Sequence, residues 1–344
     1  MKKIISRAPL RISFAGGGTD QEFFYKDHIG HVLSTTISLY VYTEIQESEK
    51  VTLSATDLNK SIVVTDLNAL PEDFELLLPF LTYKKICEKF NDGKLLLVDV
   101  STFSEVSIGS GLGASSALVV SMINGFAEYL KLPLTPNLIA DLAYEIERVD
   151  ANMPGGKQDQ YSAAHGGINY FLFKSNGEVS VDSLRIKKHI INEIESTMLL
   201  VNLSRLNNNS NNNNNKLNPI NIEDKLSAYK TISDYVFSIR DALLSGSFKT
   251  FIKQIKLSSK FKNTISEIAQ HKSVIGLINF VDEISNANEL FSCSRICGSG
   301  ESGYLLIYCD IAVKNKIIEY VKNILGFDYL LPKISLNGPE TWYE

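Results

Sequence analysis

The chain has few of the features that would assign it quickly. Its 344 residues contain four cysteines, Cys87, Cys293, Cys297 and Cys309, with no CxxC pair, and the Cys293–Cys297 spacing has no nearby histidines to complete a zinc site. Reduced thiols in a cytoplasmic protein are the expectation. No block of Lys and Arg stands out and the formal net charge is −5, so the electrostatic footprint of a nucleic-acid or anionic-membrane binder is missing. No apolar run reaches the ~18 residues of a membrane span, and MKKIISRAPLRIS lacks the apolar stretch of an export signal. There is no tandem repeat, and no lysine follows a glycine-rich loop as a Walker A sequence requires.

What is present is material for a large core. An apolar fraction of 44% with 15 Tyr and 17 Phe describes a globular chain, and 344 residues exceed the ~250–300 at which a single core stops growing. Two lobes with a cleft between them are expected, divided into residues 1–195 and 196–344. The run NNNSNNNNN at 207–215 has no apolar content to offset the cost of ordering it and reads as a mobile surface loop.

Period-2 alternation at Ile37, Leu39, Val41 and Ile45 predicts a half-buried strand, and KVTLSATD with KSIVVTDL predicts a hairpin. Pro71 marks the start of a helix running to about Phe90, followed by the strand KLLLVDVSTF. Helical spacing from Ala117 to Leu130 puts GSGLGASSA at a helix N-terminus, and Thr135-Pro136 starts another helix reaching Arg148. MPGGKQDQY reads as a turn before the strand HGGINYFLF. Beyond residue 196 the pattern is more helical, with amphipathic stretches at Leu226–Leu243 and Phe248–Ile255, then ICGSGESG, the strand YLLIYC and a helix from about Val313 stopped by Gly326.

Three segments carry chemistry. In Gly109–Ala117 the glycines let backbone N–H groups approach phosphate, and the following helix adds its positive end, with Ser115 and Ser116 able to hold a phosphate oxygen or a magnesium ion. In RAPLRISFAGGGTD, Arg11 and Asp20 bracket an apolar strand and a triple glycine. In AYEIERVDANMPGGKQDQY, Glu147 and Asp159 lie 12 positions apart, and carboxylates leaving a helix and a tight turn can converge on one metal-phosphate centre. Taken singly, Arg11 reads as a solvated cation, Glu147 as a surface helix residue, and Asp20 and Asp159 as caps.

Read together, PLRISFAGGGTD, GSGLGASSA, GGKQDQY and CGSGESGYLL resemble, in order and spacing, the motifs of the GHMP kinases, over Arg7 to about Tyr308. The wording AGGGTD, AYEIER and GGKQDQY is most similar to the D-glycero-D-manno-heptose 7-phosphate kinases of that superfamily. The resemblance implies an α+β fold in two lobes, an N-terminal βαβ lobe with a left-handed crossover and a ferredoxin-like C-terminal lobe. It further implies ATP and Mg2+ as cofactors, a sugar or sugar phosphate as substrate, and phosphorylation of the anomeric hydroxyl of heptose 7-phosphate for surface-polysaccharide precursors. An unphosphorylated sugar such as fucose, galactose or mannose stays an alternative, as does a nucleotide-binding sensor without turnover. It leaves room for a homodimer that no single residue specifies.

Carried over by position, Asp159 matches the catalytic aspartate and Arg11 a basic residue that orients it. Gly109, Ser110, Gly111, Leu112, Gly113, Ala114, Ser115 and Ser116 match the loop over the ATP phosphates, and Ser115 or Ser116 with Glu147 the magnesium ligands. Asp20, with Gly17, Gly18, Thr19, Gly155, Gly156 and Lys157, matches the substrate corner, where Lys157, Arg7, Arg148 and Arg295 are candidates to meet a second phosphate. Ser107 and Ile108 replace the usual prolines, Glu301 and Ser302 replace glycines, and the Asn-rich run interrupts the likeness.

Overall fold

The computed structural model describes residues 3–206, 221–300 and 303–344; the Asn-rich run at 207–215 and the departures at Glu301 and Ser302 lie outside the described residues. The alternation in the N-terminal region is realised as two long antiparallel strands, β1 (Lys3–Ala15) and β2 (Gly30–Glu47). Their register shifts between Pro9 and Leu10, where proline has no N–H to give the ladder. Past that irregularity the Arg11 N–H donates to the Leu112 carbonyl at 2.9 Å, which ties the strand to the second glycine-rich loop.

The hairpin β3 (Val51–Ala55) and β4 (Lys60–Val64) forms as expected, and β5 (Val98–Ser104) runs parallel to β3. β6 (Ile168–Phe173) and β7 (Val179–Ser183) extend the sheet from the N-terminal half of β2, whose C-terminal half pairs with β5. A second, antiparallel sheet joins β8 (Met198–Asn202), β9 (Ser292–Ile296), β10 (Tyr304–Cys309) and β11 (Tyr329–Leu330) in the order β11-β8-β10-β9. The chain then returns to the first sheet, where β12 (Glu340–Tyr343) pairs with β1. The first eight-stranded sheet therefore draws one strand from beyond the expected 195/196 boundary, because the outer edge of β1 offers unpaired backbone groups.

The helices are α1 (Glu22–Tyr25), α2 (Leu77–Phe90), α3 (Ala114–Leu130), α4 (Pro136–Tyr144), α5 (Gln158–His165), α6 (Lys188–Thr197), α7 (Ile222–Ser245), α8 (Phe248–Thr264), α9 (Lys272–Asn286) and α10 (Ile311–Glu319). Pro71 does not open α2, which is preceded by one 3-10 turn at Phe74–Leu76. Thr135 caps α4 by accepting the Leu138 N–H. GGKQDQY is a turn only in part: Gln158–His165 is helical, so Asp159 stands in the first turn of α5.

α3 lies on β1 and β2, while α7 and α8 pack together and reach from the first sheet to β9 of the second. An aromatic seam fixes the two sheets relative to each other. Phe14 on β1 meets Phe251 on α8 edge-on at 5.2 Å, and Phe251 meets Tyr308 on β10 at 6.2 Å. Such ring pairs contribute about 0.5–1.5 kcal/mol each beyond the area they bury. A separate apolar cluster, including Leu199, Val201, Leu277, Val281, Leu305 and Ile317, fills the other face of the second sheet under α9 and α10. Among the described residues no helix is long and apolar enough to cross a membrane.

Candidate active site

All three glycine-rich segments open on one cleft of about 250 Å³, lined among others by Arg11, Gly18, Asp20, Gly111, Ser115, Asp159 and Gly298. The second and third loops touch backbone to backbone. A Cβ at Gly298, whose φ is +68°, would lie 2.5 Å from the Gly111 Cα, and one at Gly111, φ +75°, would lie 3.0 Å from the Cys297 carbonyl oxygen. Any side chain here would push the loops apart, so glycine is a steric requirement at this junction. The third loop thus braces the second from behind.

Asp159 projects from α5 toward Gly113, the residue that precedes α3. Arg11 donates to its Oδ1 through Nε at 2.8 Å and Nη2 at 2.6 Å, and through Nη1 to the Gly111 carbonyl at 2.7 Å. Burial would raise this carboxyl, yet the Arg11 charge and hydrogen bonds, with a bond from Gln158, more than offset it and hold Asp159 below the usual carboxylate range. The result is an ionised carboxylate, a hydrogen-bond acceptor, facing the cleft at the mouth of a helix N-terminus. Arg11, read singly as solvated, is buried.

After Tyr144 the helix continues as a π turn, Glu145–Asp150, which widens the backbone and swings Glu147 inward. Glu147 is 0% exposed, unlike the surface residue its position alone suggested. Its Oε2 accepts from Ser116 Oγ at 2.6 Å and from Gln160 Nε2, while Oε1 has no hydrogen-bond partner among the described residues and lies 3.7 Å from Arg148 Nη1. Burial raises this carboxyl above its ordinary value, against the Arg148 charge and the bonds from Ser116, Gln160 and Ser115. Ser115 lines the cleft; Ser116 is fully buried with its hydroxyl given to Glu147. Among the described residues no group of three or more His, Cys, Asp or Glu side chains is placed to hold a metal.

Asp20 ties two loops together: its Oδ1 accepts the Gly18 N–H and its Oδ2 the Gln158 N–H, each at 3.0 Å. Burial pushes this carboxyl up, against those two bonds. Gly156 packs so closely that a Cβ there would meet Asp20 Oδ2 at 2.0 Å, and Gly155 similarly leaves room for the Arg148 guanidinium. Gly17, Gly18, Gly155 and Gly156 line the cleft. Thr19 and Lys157 do not. Thr19 Oγ1 donates to the Gly16 and His31 carbonyls, and the Lys157 ammonium lies over the Tyr25 and Tyr144 rings and donates to the Gly177 carbonyl. Arg7 is likewise absent from the lining, paired with Glu340 over the Tyr40 ring. Within the loop, Gly109, Gly111, Gly113 and Ala114 face the cleft, whereas Leu112 is core and Ser110 is buried beneath Gly303.

The N-terminal domain of the GHMP kinases matches residues 78–167. The D-glycero-alpha-D-manno-heptose 7-phosphate kinase of Campylobacter jejuni subsp. jejuni is 33% identical over 99% of both chains. The chain belongs to the GHMP kinases. A solved D-glycero-D-manno-heptose 1-phosphate kinase from Bacteriodes thetaiotaomicron superposes with a TM-score of 0.79 at 27% identity, covering 98% of both chains. A mevalonate kinase structure shares the fold at 16% identity, with a TM-score of 0.71 over 96% of this chain and 99% of that one.

Two parts of this ATP-dependent kinase escaped the sequence reading. One is a pocket on the other side of the 107–110 turn, where Leu58, Phe74, Leu77, Ile108 and Met153 share the lining with Asp57, Glu75 and Glu105; Met153 also lines the main cleft. Leu58, Phe74 and Ile108 are exposed, and their loops carry no periodicity that would mark them. The other is Lys262. Ser258, Ser259 and Lys262 continue the buried face of α8 begun by Phe248, Phe251, Ile252 and Ile255, so polar residues extending an apolar stripe were the available signal.

Proposed function

We propose that this kinase transfers the terminal phosphate of ATP to the anomeric hydroxyl of a heptose 7-phosphate, as the names of its relatives suggest. The observation that carries the reading is the Arg11–Asp159 pair: an ionised carboxylate between the glycine loop and the Asp20 corner is placed to accept a proton from a sugar hydroxyl. Arg11 keeps that carboxylate oriented and offsets charge on the transferring group. Backbone N–H groups from Gly109 to Ser115 at the start of α3 serve the triphosphate. The pocket at Leu58, Phe74 and Ile108 suits the nucleobase, being adjacent to that loop, large enough for a planar ring and mixed in lining, with apolar faces beside polar side chains. Gly17, Gly18, Asp20, Gly155 and Gly156 form the sugar corner.

The residues present fit a magnesium ion. Glu147 Oε1 is a buried carboxylate oxygen without a hydrogen-bond partner, and the Ser115 hydroxyl faces the cleft beside it. Ser115 and Glu147 would hold the ion, with Ser116 fixing the carboxylate from behind. Magnesium binds hard oxygens and takes few from protein, leaving the rest to phosphate and water, and would neutralise phosphate charge. Phosphoryl transfer through a loose transition state needs mainly this positioning and electrostatic stabilisation. The N-terminal lobe, to about residue 195, would carry nucleotide and magnesium, and the lobe beyond it would close the cleft.

ADP release with Mg-ATP across heptose 7-phosphate, mannose, fucose and galactose, with the phosphorylated position read by NMR, tests this. Turnover on heptose 7-phosphate at the anomeric oxygen is expected. Turnover confined to the unphosphorylated sugars, or ATP binding without ADP release from any of them, would overturn it.

A further inference from the structure

Besides Arg11 and Arg148, which bonds the Gly156 carbonyl and faces Glu147, the cleft holds two cations that the chemistry above does not use. Lys262, on α8, is 4% exposed and Arg295, on β9, is 2% exposed; both line the cleft. Among the described residues neither has a carboxylate within ion-pairing distance. Among the described residues Arg295 makes one long side-chain bond, Nη1 to Ser258 Oγ at 3.4 Å, and the Lys262 ammonium makes none. Taking a charge out of water costs several kcal/mol even after relaxation, so such a pair either gives up the lysine proton or is stabilised by an anion that joins it. The residues around it are mixed: Arg11 adds positive charge, while Asp20 is the nearby carboxylate, already accepting from the Gly18 and Gln158 N–H groups. Cys297 lies close by with its thiol pushed up by burial, hence neutral.

We propose that Lys262 and Arg295 form a binding site for the phosphate that the sugar substrate already carries, and that they set the preference for a phosphorylated over an unphosphorylated sugar. This inference rests on the function proposed above. Both side chains come from the second lobe, across the cleft from α3 and α5, and Lys262 senses Asp20 of the sugar corner. An ammonium and a planar guanidinium side by side provide several donors for a tetrahedral dianion, and the surrounding burial makes each bond stronger than it would be in water. The state of Lys262 is consistent with such an arrangement. Burial and the neighbouring Arg295 and Arg11 lower its pKa to about 7, partly opposed by Asp20, so near neutral pH an incoming phosphate would draw a proton onto it.

The test replaces Lys262 by Met, which keeps its length, and by Arg, which keeps its charge. For each, kcat/KM is measured on heptose 7-phosphate and on unphosphorylated heptose, along with KM for Mg-ATP. In Lys262→Met the ratio of the two kcat/KM values should fall at least about 30-fold, the loss typical of truncating one partner of a buried charge pair, with Lys262→Arg recovering most of it. Inorganic phosphate should raise the melting temperature of the wild type and have little effect on Lys262→Met. An unchanged ratio, or a loss that falls on KM for Mg-ATP instead, would overturn the assignment and give the two cations to the nucleotide. Failure of the underlying function would look different: the wild type itself would not turn over heptose 7-phosphate, and the melting shift with phosphate would then decide the site alone.

Discussion

Replacing Arg11 by Met removes the group that keeps Asp159 ionised. Arg11 makes two bonds to Asp159, at 2.8 and 2.6 Å, and one to the Gly111 carbonyl at 2.7 Å. Breaking a buried pair by deleting one partner costs about 3–5 kcal/mol, and since Asp159 opens partly to the cleft the lower end, about 3 kcal/mol, is expected for stability. The pH dependence follows from the direction of the shift. Asp159 is depressed relative to its ordinary value of 3.8, so the stability it contributes is present above that value and is lost as pH falls through its lower folded value. Without Arg11 the raising effect of burial is opposed mainly by the Gln158 bond and the Arg148 charge, and the carboxyl moves up. ADP release followed from pH 4 to pH 9 should therefore show an acid limb displaced toward neutrality in Arg11→Met, and a smaller displacement in Arg11→Lys. Thermal unfolding over the same range checks the stability loss. A folded Arg11→Met protein with the wild-type pH profile would refute the argument that Arg11 sets the state of Asp159.

Asp159→Asn keeps volume and removes the proton acceptor, so kcat should fall on the order of 10²–10⁴-fold while ATP affinity by calorimetry stays near wild type; full turnover would remove Asp159 from the chemistry. Gly298→Ala forces a Cβ to within 2.5 Å of the Gly111 Cα at a φ of +68° and should cost about 2–4 kcal/mol in stability and raise KM for ATP, read by melting and steady-state kinetics. Glu147→Gln should raise the magnesium concentration giving half-maximal activity by about 10–100-fold, because the orphaned carboxylate oxygen loses its charge; an unaltered magnesium titration would show that Glu147 only braces Ser116 and Gln160.

The local pattern was enough to locate β2, the β3–β4 hairpin, β5, β6 and β10, the helix after GSGLGASSA and the helix capped by Thr135, because period and capping are properties of neighbouring residues. The motif order was enough to bring Arg11, Asp20, Asp159, Ser115 and the loop glycines to the cleft, since a loop that must approach phosphate by its backbone shows its glycines in the sequence, but Thr19, Lys157, Ser116 and Glu147 from the same motifs lie off its lining. Several side chains could be settled only by the folded chain. Ser115 and Ser116 are chemically identical and adjacent, and only the direction of each from α3 sends one to the cleft and the other to Glu147. Lys157 sits in a matching motif but is taken by Tyr25, Tyr144 and Gly177, partners from three separate segments. Lys262 and Arg295 are 33 positions apart on a helix and a strand, and only the packing of α8 on β9 brings them together. The sequence by itself determined which backbone segments approach phosphate and which carboxylates are available, because those depend on residue type. Which charges are buried, paired or left to meet a ligand was decided by the tertiary structure alone, since burial and electrostatic partnership arise between elements distant in the chain.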